Sequence, residues 1–133
     1  MEVRIGIAGL GTIGAGVVEL LRANSGMIRE KTGISLRVTA VAEPAIDDKK
    51  DIDLTGIRTY RDGMDLVNDA DVDVVVELVG GVNFPKKLIT AALENGKHVV
   101  TANKALLAKE GLAIYALSAA NKLGLGIEAS VAG

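Results

Sequence analysis

The stretch Gly9-Leu10-Gly11-Thr12-Ile13-Gly14 decides how this chain is read. It follows an apolar segment, Val3-Arg4-Ile5-Gly6-Ile7-Ala8, and opens a long helical pattern. A strand, a glycine-rich turn and a helix start, in that order, are the context a dinucleotide-binding fingerprint requires. Gly9 permits the tight turn, Gly11 lets the backbone approach a pyrophosphate with no Cβ in the way, and Gly14 lets the helix pack closely on the strand. The free N–H groups at the helix start and the positive end of its dipole then favour phosphate. A purely structural glycine turn accounts for less of this pattern.

Working outward, residues 2–8 form the first strand. Residues 12–31 read as a helix whose apolar Ile13, Val17, Val18, Leu21 and Ile28 fall near helical spacing, with Gly33 as its stop. Ser35 to Glu43 reads as a second strand ended by Pro44, and the polar residues 45–56 read as a loop. Residues 57–60 fit a short third strand, and Asp62 is placed to cap a short helix through Val67. Asp73 to Val79 has the β-branched content of a buried strand, and Gly80-Gly81 forces a turn after it. Pro85 suits the first turn of a helix running to Glu94, which Asn95-Gly96 stops. Residues 97–101 form a strand. Residues 104–122 form a helix with apolar Leu106, Leu107, Leu112, Ile114 and Leu117, and Leu125 to Glu128 is a last strand. Strand and helix alternate throughout. The expected fold is therefore α/β, a doubly wound parallel sheet of Rossmann type with strand order 3-2-1-4-5-6, spanning 1–133 as one dinucleotide-binding domain.

Composition agrees with that fold. The chain has 133 residues, 49% of them hydrophobic, and its only aromatic side chains are Tyr60, Phe84 and Tyr115. The core must be built from Val, Ile, Leu and Ala, as in a parallel sheet covered by helices. With 15 basic and 17 acidic residues and no basic stripe, nucleic acid is not an expected partner. The absence of cysteine rules out disulfides and thiolate metal sites. The uncharged run from Ile5 to Val18 after Arg4 has the look of a signal segment, but five glycines interrupt it and Glu19 closes it too early for a membrane span. No membrane association is expected, and the cytoplasm is the expected location.

In this fold, ligands bind beyond the carboxyl ends of the strands. Glu43 ends the second strand, where an acid accepts hydrogen bonds from a ribose 2′-OH and repels a 2′-phosphate. It lies further past Gly14 than the usual spacing of about 20 residues, and the long first helix accounts for the excess. A solvated strand-end carboxylate is the plain alternative. Lys49 and Lys50 are near enough in sequence to receive a phosphate, so NAD is expected with NADP left open. Val79, Gly80 and Gly81 end the fourth strand, where either a cofactor contact or a simple β–α turn fits them. His98, the only histidine, begins a strand without a partner at ligand spacing and reads as structural.

Three segments together carry a resemblance: GLGTIG at 9–14, HVVTANKALLA at 98–108 and GIEASVAG at 126–133, with ELVGG at 77–81 in agreement. They resemble the cofactor-binding domain of homoserine dehydrogenase, over essentially the whole chain. The first segment is shared by very many dehydrogenases; the other two are much more specific. The resemblance implies an oxidoreductase that interconverts L-homoserine and L-aspartate 4-semialdehyde with NAD or NADP. It also implies a substrate and dimerisation domain beyond this chain, and a homo-oligomer. Relatives that use NADP tend to carry Ser or Arg near the end of the second strand, and Glu43-Pro44 departs from that.

By the same resemblance Lys104 lies near the substrate hydroxyl. A lysine partly removed from water can take the hydroxyl proton, and one that stays charged can polarise the aldehyde oxygen. An exposed lysine at a helix start is the plain alternative. Thr101 and Asn103 flank the cofactor in this reading, and Asn103 also suits a helix cap. Glu128, with backbone carbonyls near Val131 and Gly133, is implied to hold a monovalent cation such as sodium, which an all-oxygen set suits. A strand-end carboxylate paired with a lysine explains Glu128 equally. Two rival functions share parts of the pattern: another amino-acid dehydrogenase such as an aspartate dehydrogenase, against which TANKALLA argues, and a non-catalytic nucleotide-sensing module.

Overall fold

The computed structural model describes residues 1–127. The chain runs β1 (Glu2–Ala8), α1 (Thr12–Thr32), β2 (Ser35–Ala42), β3 (Arg58–Tyr60), α2 (Gly63–Val67), β4 (Val74–Glu77), α3 (Asn83–Glu94), β5 (His98–Thr101), α4 (Lys104–Ala120) and β6 (Leu125–Ile127). The strands form one sheet in the order β3-β2-β1-β4-β5-β6, and every recorded pairing is parallel. The expected order is thus the observed one. The loop at 45–56 contains a single 3-10 turn, Ile46–Asp48.

Residue size assigns the two faces. Ile5 and Ile7 of β1 and Val38 and Val41 of β2 turn to one side and bury Val18 of α1. Their alternates Ala8, Ala40 and Ala42 turn to the other side, where Leu66 and Val67 of α2 sit close. Gly6 belongs to that second face: a Cβ there would stand 3.0 Å from Val72 and 3.1 Å from Leu66. Small residues on one face thus let a five-residue helix lie almost on the strands. Helix α1 ends at Gly33, whose φ of 75° turns its N–H back onto the Arg29 carbonyl. His98 is structural as read, since its Nδ1 accepts the Gly124 N–H at 2.8 Å.

Two apolar assignments do not hold. Ile13 is 70% exposed and Leu112 is 89% exposed. Ile13 lies in the first turn of α1 on the side that lines the cleft described below, while Gly14 beside it faces the sheet. Leu112 lies on an α4 that is rich in Ala and Leu on every side, so spacing alone does not single out its buried face. Strand β4 also stops at Glu77, two residues before the expected end, because the Val79 N–H is taken by the Glu77 side chain.

The amino ends of the strands carry a connected set of charges. Arg4 grips Asp73 through Nε at 3.0 Å and a second nitrogen at 2.9 Å, and also reaches Asp71 at 3.2 Å. Arg58 pairs with Asp69 at 2.8 Å, and the Tyr60 hydroxyl donates to the same carboxylate at 2.9 Å. Lys97, only 7% exposed, donates from Nζ to the carbonyls of Asp69 (2.6 Å) and Val72 (2.7 Å). Among the described residues no helix is long and apolar enough to cross a membrane.

Candidate functional site

The carboxyl ends of β1, β2, β4 and β5 converge on an open cleft. Its larger hollow, about 620 Å³, lies between Gly9 and Gly11 on one side and Glu43, Pro44, Val79 and Phe84 on the other. A smaller hollow of about 320 Å³ continues past Leu78 to Ile13, Glu77, Gly80, Asn103 and Lys104. A separate groove of about 510 Å³ between α1 and the start of β2, lined by Arg22, Arg29 and Arg37 among others, contains none of the predicted site residues.

The glycine turn is shaped by two contacts. Gly9 has a φ of 97°, and a Cβ on it would stand 2.7 Å from the Leu78 carbonyl oxygen. A Cβ on Gly14 would stand 2.2 Å from the carbonyl oxygen of Gly9, so turn and helix touch backbone to backbone. Gly11 is different: a Cβ there would meet no atom within 4 Å and would point into open space at the cleft. Gly11 is the N-cap of α1 and offers no side-chain cap, and the first turn, from Thr12 onward, contains no acid. The first N–H groups of the helix therefore lack a side-chain partner of their own, which is the condition for an anion to bind there.

Glu43 is tied to this turn. One carboxylate oxygen accepts the Leu10 N–H at 3.0 Å and the other the Ala45 N–H at 3.0 Å. Partial burial pushes its pKa up, but the two backbone donors and the nearby Lys49 charge outweigh that and hold it below the usual carboxylate range. Arg61, also at the cleft, is held by Asp47. Sequence reasoning missed Arg61, Phe84 and the Leu10 amide. Arg61 comes from the loop after β3 and Phe84 from the first turn of α3, while the Leu10 amide belongs to the glycine turn itself and meets Glu43 only once β1 and β2 lie side by side.

At the far end, Gly80 and Gly81 both have positive φ, 86° and 80°, so the backbone of this turn itself demands glycine. Asn103 caps α4 through its side-chain oxygen, which accepts the Leu106 N–H at 3.0 Å, while its amide donates to the Gly81 carbonyl at 2.6 Å. Lys104 is the first residue of α4, exposed at the lip of the smaller hollow. Thr101 is turned inward, 1% exposed, with its hydroxyl donating to Glu77 at 2.7 Å. Glu77 was legible only as an acid inside an otherwise apolar strand, an arrangement that is rare unless the acid is paired. Glu128, Val131 and Gly133, the implied cation set, lie outside the described residues. Among those described, no group of three or more His, Cys, Asp or Glu could hold a metal.

A parallel α/β sheet in this order, with a glycine turn opening an uncapped helix and a cleft along the carboxyl edge, is the architecture of a dinucleotide-binding domain. Comparison with known proteins narrows the class. A family model described as "Homoserine dehydrogenase, NAD binding domain" matches residues 9–128. The chain belongs to that family of NAD-binding domains. It is 40% identical to the homoserine dehydrogenase of Neisseria gonorrhoeae and 37% identical to that of Bacillus subtilis, each over 131 residues that cover 98% of this chain and 30% of the relative. The chain thus spans under a third of the length of these curated relatives. Among solved structures, a homoserine dehydrogenase from Thiobacillus denitrificans superposes with a TM-score of 0.90 at 37% identity, covering 98% of this chain and 30% of that one. A hyperthermophilic archaeal homoserine dehydrogenase in complex with NADPH shares the fold, with a TM-score of 0.77 at 22% identity over 98% of this chain and 44% of that one.

Proposed function

We propose that residues 1–133 are the cofactor-binding domain of a homoserine dehydrogenase, whose complete form interconverts L-homoserine and L-aspartate 4-semialdehyde. The observation that carries this is the uncapped start of α1, with Gly11 facing open space at the mouth of the cleft. A pyrophosphate fits there against the turn Gly9–Gly14, contacting the backbone of Gly11, Thr12 and Ile13. Glu43 then meets the adenosine ribose and favours NAD over NADP, although Arg61 and Lys49 leave a route for the 2′-phosphate of NADP. The nicotinamide half follows Val79, Gly80, Gly81 and Asn103 to the smaller hollow, and Thr101 supports that end from beneath.

A nicotinamide held at the end of the cleft lined by Gly80 and Asn103 would supply the acceptor for the hydride of the alcohol. The hydroxyl proton needs a separate acceptor, and Lys104 is the group at that end able to take it or to polarise the carbonyl in reverse. Because the chain covers about 30% of its relatives, the remaining substrate-side groups come from a second domain. The reading includes a homo-oligomer, a cytoplasmic location and a monovalent cation held by Glu128 and the carbonyls of Val131 and Gly133.

Calorimetric titration of the full-length enzyme tests the binding geometry. Gly11 has a φ of −77° and free space around its Cβ position, so Gly11→Val should fold. It should weaken NAD at least tenfold, about 1.4 kcal/mol, by filling the pyrophosphate position. Unchanged affinity in the folded variant would remove the turn from the site. In the same titration the wild type should bind NAD more tightly than NADP, and Glu43→Gln should narrow the gap.

A further inference from the structure

Glu77 and Thr101 are the last residues of β4 and β5 and stand opposite each other in the sheet register. Each is 1% exposed. One Glu77 oxygen accepts the Thr101 hydroxyl at 2.7 Å, and the other accepts the Val79 N–H at 2.7 Å. The Thr101 oxygen in turn accepts the Asn103 N–H at 3.1 Å. The Asn103 amide returns to the Gly81 carbonyl at 2.6 Å. With the backbone from Val79 to Gly81, these four bonds close a ring that joins the turn after β4 to the loop after β5. Lys104 is the next residue along that loop, and Glu77 itself lines the smaller hollow.

A passive turn does not need a carboxylate, because burying one is costly unless both oxygens are satisfied. An acceptor-only group does one thing a neutral amide does not. It obliges the Thr101 hydroxyl to donate, which leaves the Thr101 oxygen free to accept from Asn103. The ring therefore runs in one direction and has one arrangement. A glutamine would meet either the Val79 N–H or Thr101 with a donor, and the ring would lose its direction.

We propose that Glu77 is a positioning residue of the active site: through Thr101 and Asn103 it locks the two cleft loops together and so fixes where Lys104 stands relative to the Gly80–Gly81 turn. This rests on the reading that Lys104 works at the reacting end of the cleft. Its chemistry lies in placement, since Glu77 neither gives nor takes a proton in it.

The test is steady-state kinetics on the full-length enzyme with Lys104→Ala, Glu77→Gln, Thr101→Val and the double variant Glu77→Gln/Lys104→Ala, alongside melting temperature and NAD affinity. Glu77→Gln and Thr101→Val should each lower kcat by roughly 10- to 100-fold, the scale of misplacing a reacting group by about 1 Å. NAD affinity should fall by a smaller factor than kcat, since the pyrophosphate turn lies outside the ring and only the nicotinamide end rests on it. Thr101→Ser, which keeps the hydroxyl, should recover most of the turnover that Thr101→Val loses. In the Lys104→Ala background, Glu77→Gln should add little further loss, because the two act through one group. If Lys104→Ala leaves kcat unchanged, the reading of Lys104 fails and this proposal with it. If Lys104→Ala lowers kcat while Glu77→Gln and Thr101→Val only lower the melting temperature, the positioning role alone is overturned. Should Glu77→Gln fail to fold, the two Thr101 variants decide the same question.

Discussion

At the amino ends of β3, β4 and β5, charged groups are held by one another and by the backbone beside them. Arg4 is spent on Asp73 and Asp71, Arg58 on Asp69, and the Lys97 ammonium on two carbonyls. At the carboxyl ends the two acids that matter, Glu43 and Glu77, are instead held by uncharged donors, the loop amides of Leu10, Ala45 and Val79 and the Thr101 hydroxyl. The first arrangement joins cations to anions and to backbone between strands, Asp73 also accepting the Arg4 N–H and Asp69 the Asp71 N–H. The second uses carboxylates to hold loop backbone in place, so that the N–H groups at the start of α1 stay turned toward the cleft. Stability and binding are thereby assigned to opposite ends of the same strands, and substitutions at the two ends should have separable effects.

The largest effect should come from a residue at the binding end that breaks this separation. Gly14→Ala puts a Cβ 2.2 Å from the Gly9 carbonyl oxygen, a contact with backbone that no rotamer relieves. It should cost about 3 kcal/mol or more, at the upper end of overpacking penalties, and should abolish NAD binding as the turn shifts. Gly11→Ala, three residues away with nothing near its Cβ, should change stability by less than about 0.5 kcal/mol. Urea unfolding of the two variants measures the contrast, and equal losses would mean that turn and helix do not touch as described.

Next in size is Lys97→Met at the opposite end. Burial pushes the Lys97 pKa down; Asp69 and Asp73 push it back up, Arg4 lowers it again, and the net shift is downward. Methionine keeps the apolar stem but leaves the Val72 carbonyl without its recorded donor, while the Asp69 carbonyl keeps only the Val72 N–H at 3.2 Å. A loss of about 2 kcal/mol is expected, the cost of stranding a buried carbonyl less the relief of no longer burying an ammonium. NAD affinity should stay within about twofold of wild type, since no cleft loop is touched. A large drop in affinity would show that the two ends are coupled through the sheet.

The order of strands was legible because it rests on local signals: a glycine turn after one apolar run, Pro85 opening a helix, Asn95-Gly96 closing it, Asp62 and Asn103 as caps. Both caps are observed, on Met64 and Leu106. The misassignments share one cause. Ile13 and Leu112 satisfy helical spacing, but spacing does not say which side of a helix's first turn lines a cleft, or which side of an alanine-rich helix is inward. The unforeseen residues have another cause. Lys97 reaches carbonyls 25 and 28 positions away, and Glu77 meets a hydroxyl 24 positions away. Such bonds exist only once strands lie side by side, so no pattern along the chain encodes them. What the sequence did offer was the oddity itself, a charged residue inside or just before an apolar strand.

The smallest effect is the acid response of Asp69, and its sign follows from its partners. Its side chain is 2% exposed. Burial pushes its pKa up, while the Asp71 amide, the Tyr60 hydroxyl and Arg58 push it down and prevail, so it lies below its ordinary 3.8. A carboxyl held lower in the folded chain than in the unfolded chain stabilises fully above the unfolded value of about 3.9. That contribution fades as pH falls below this value and is gone once pH has passed through the folded pKa. Urea unfolding of the wild type should therefore show a loss as pH falls below about 4 that includes an Asp69 share. Asp73 at the same end and Glu43 at the cleft are lowered as well, so the wild-type curve alone does not assign that share. Asp69→Asn isolates it. The variant should be less stable than wild type at pH 7, and the difference should shrink as the medium is acidified, because protonated aspartate and asparagine both lack the charge that Arg58 and the Asp71 amide hold. A difference that stays constant from pH 7 to pH 3 would mean that asparagine costs shape rather than charge, and that the amino end is held by packing in place of its ion pairs.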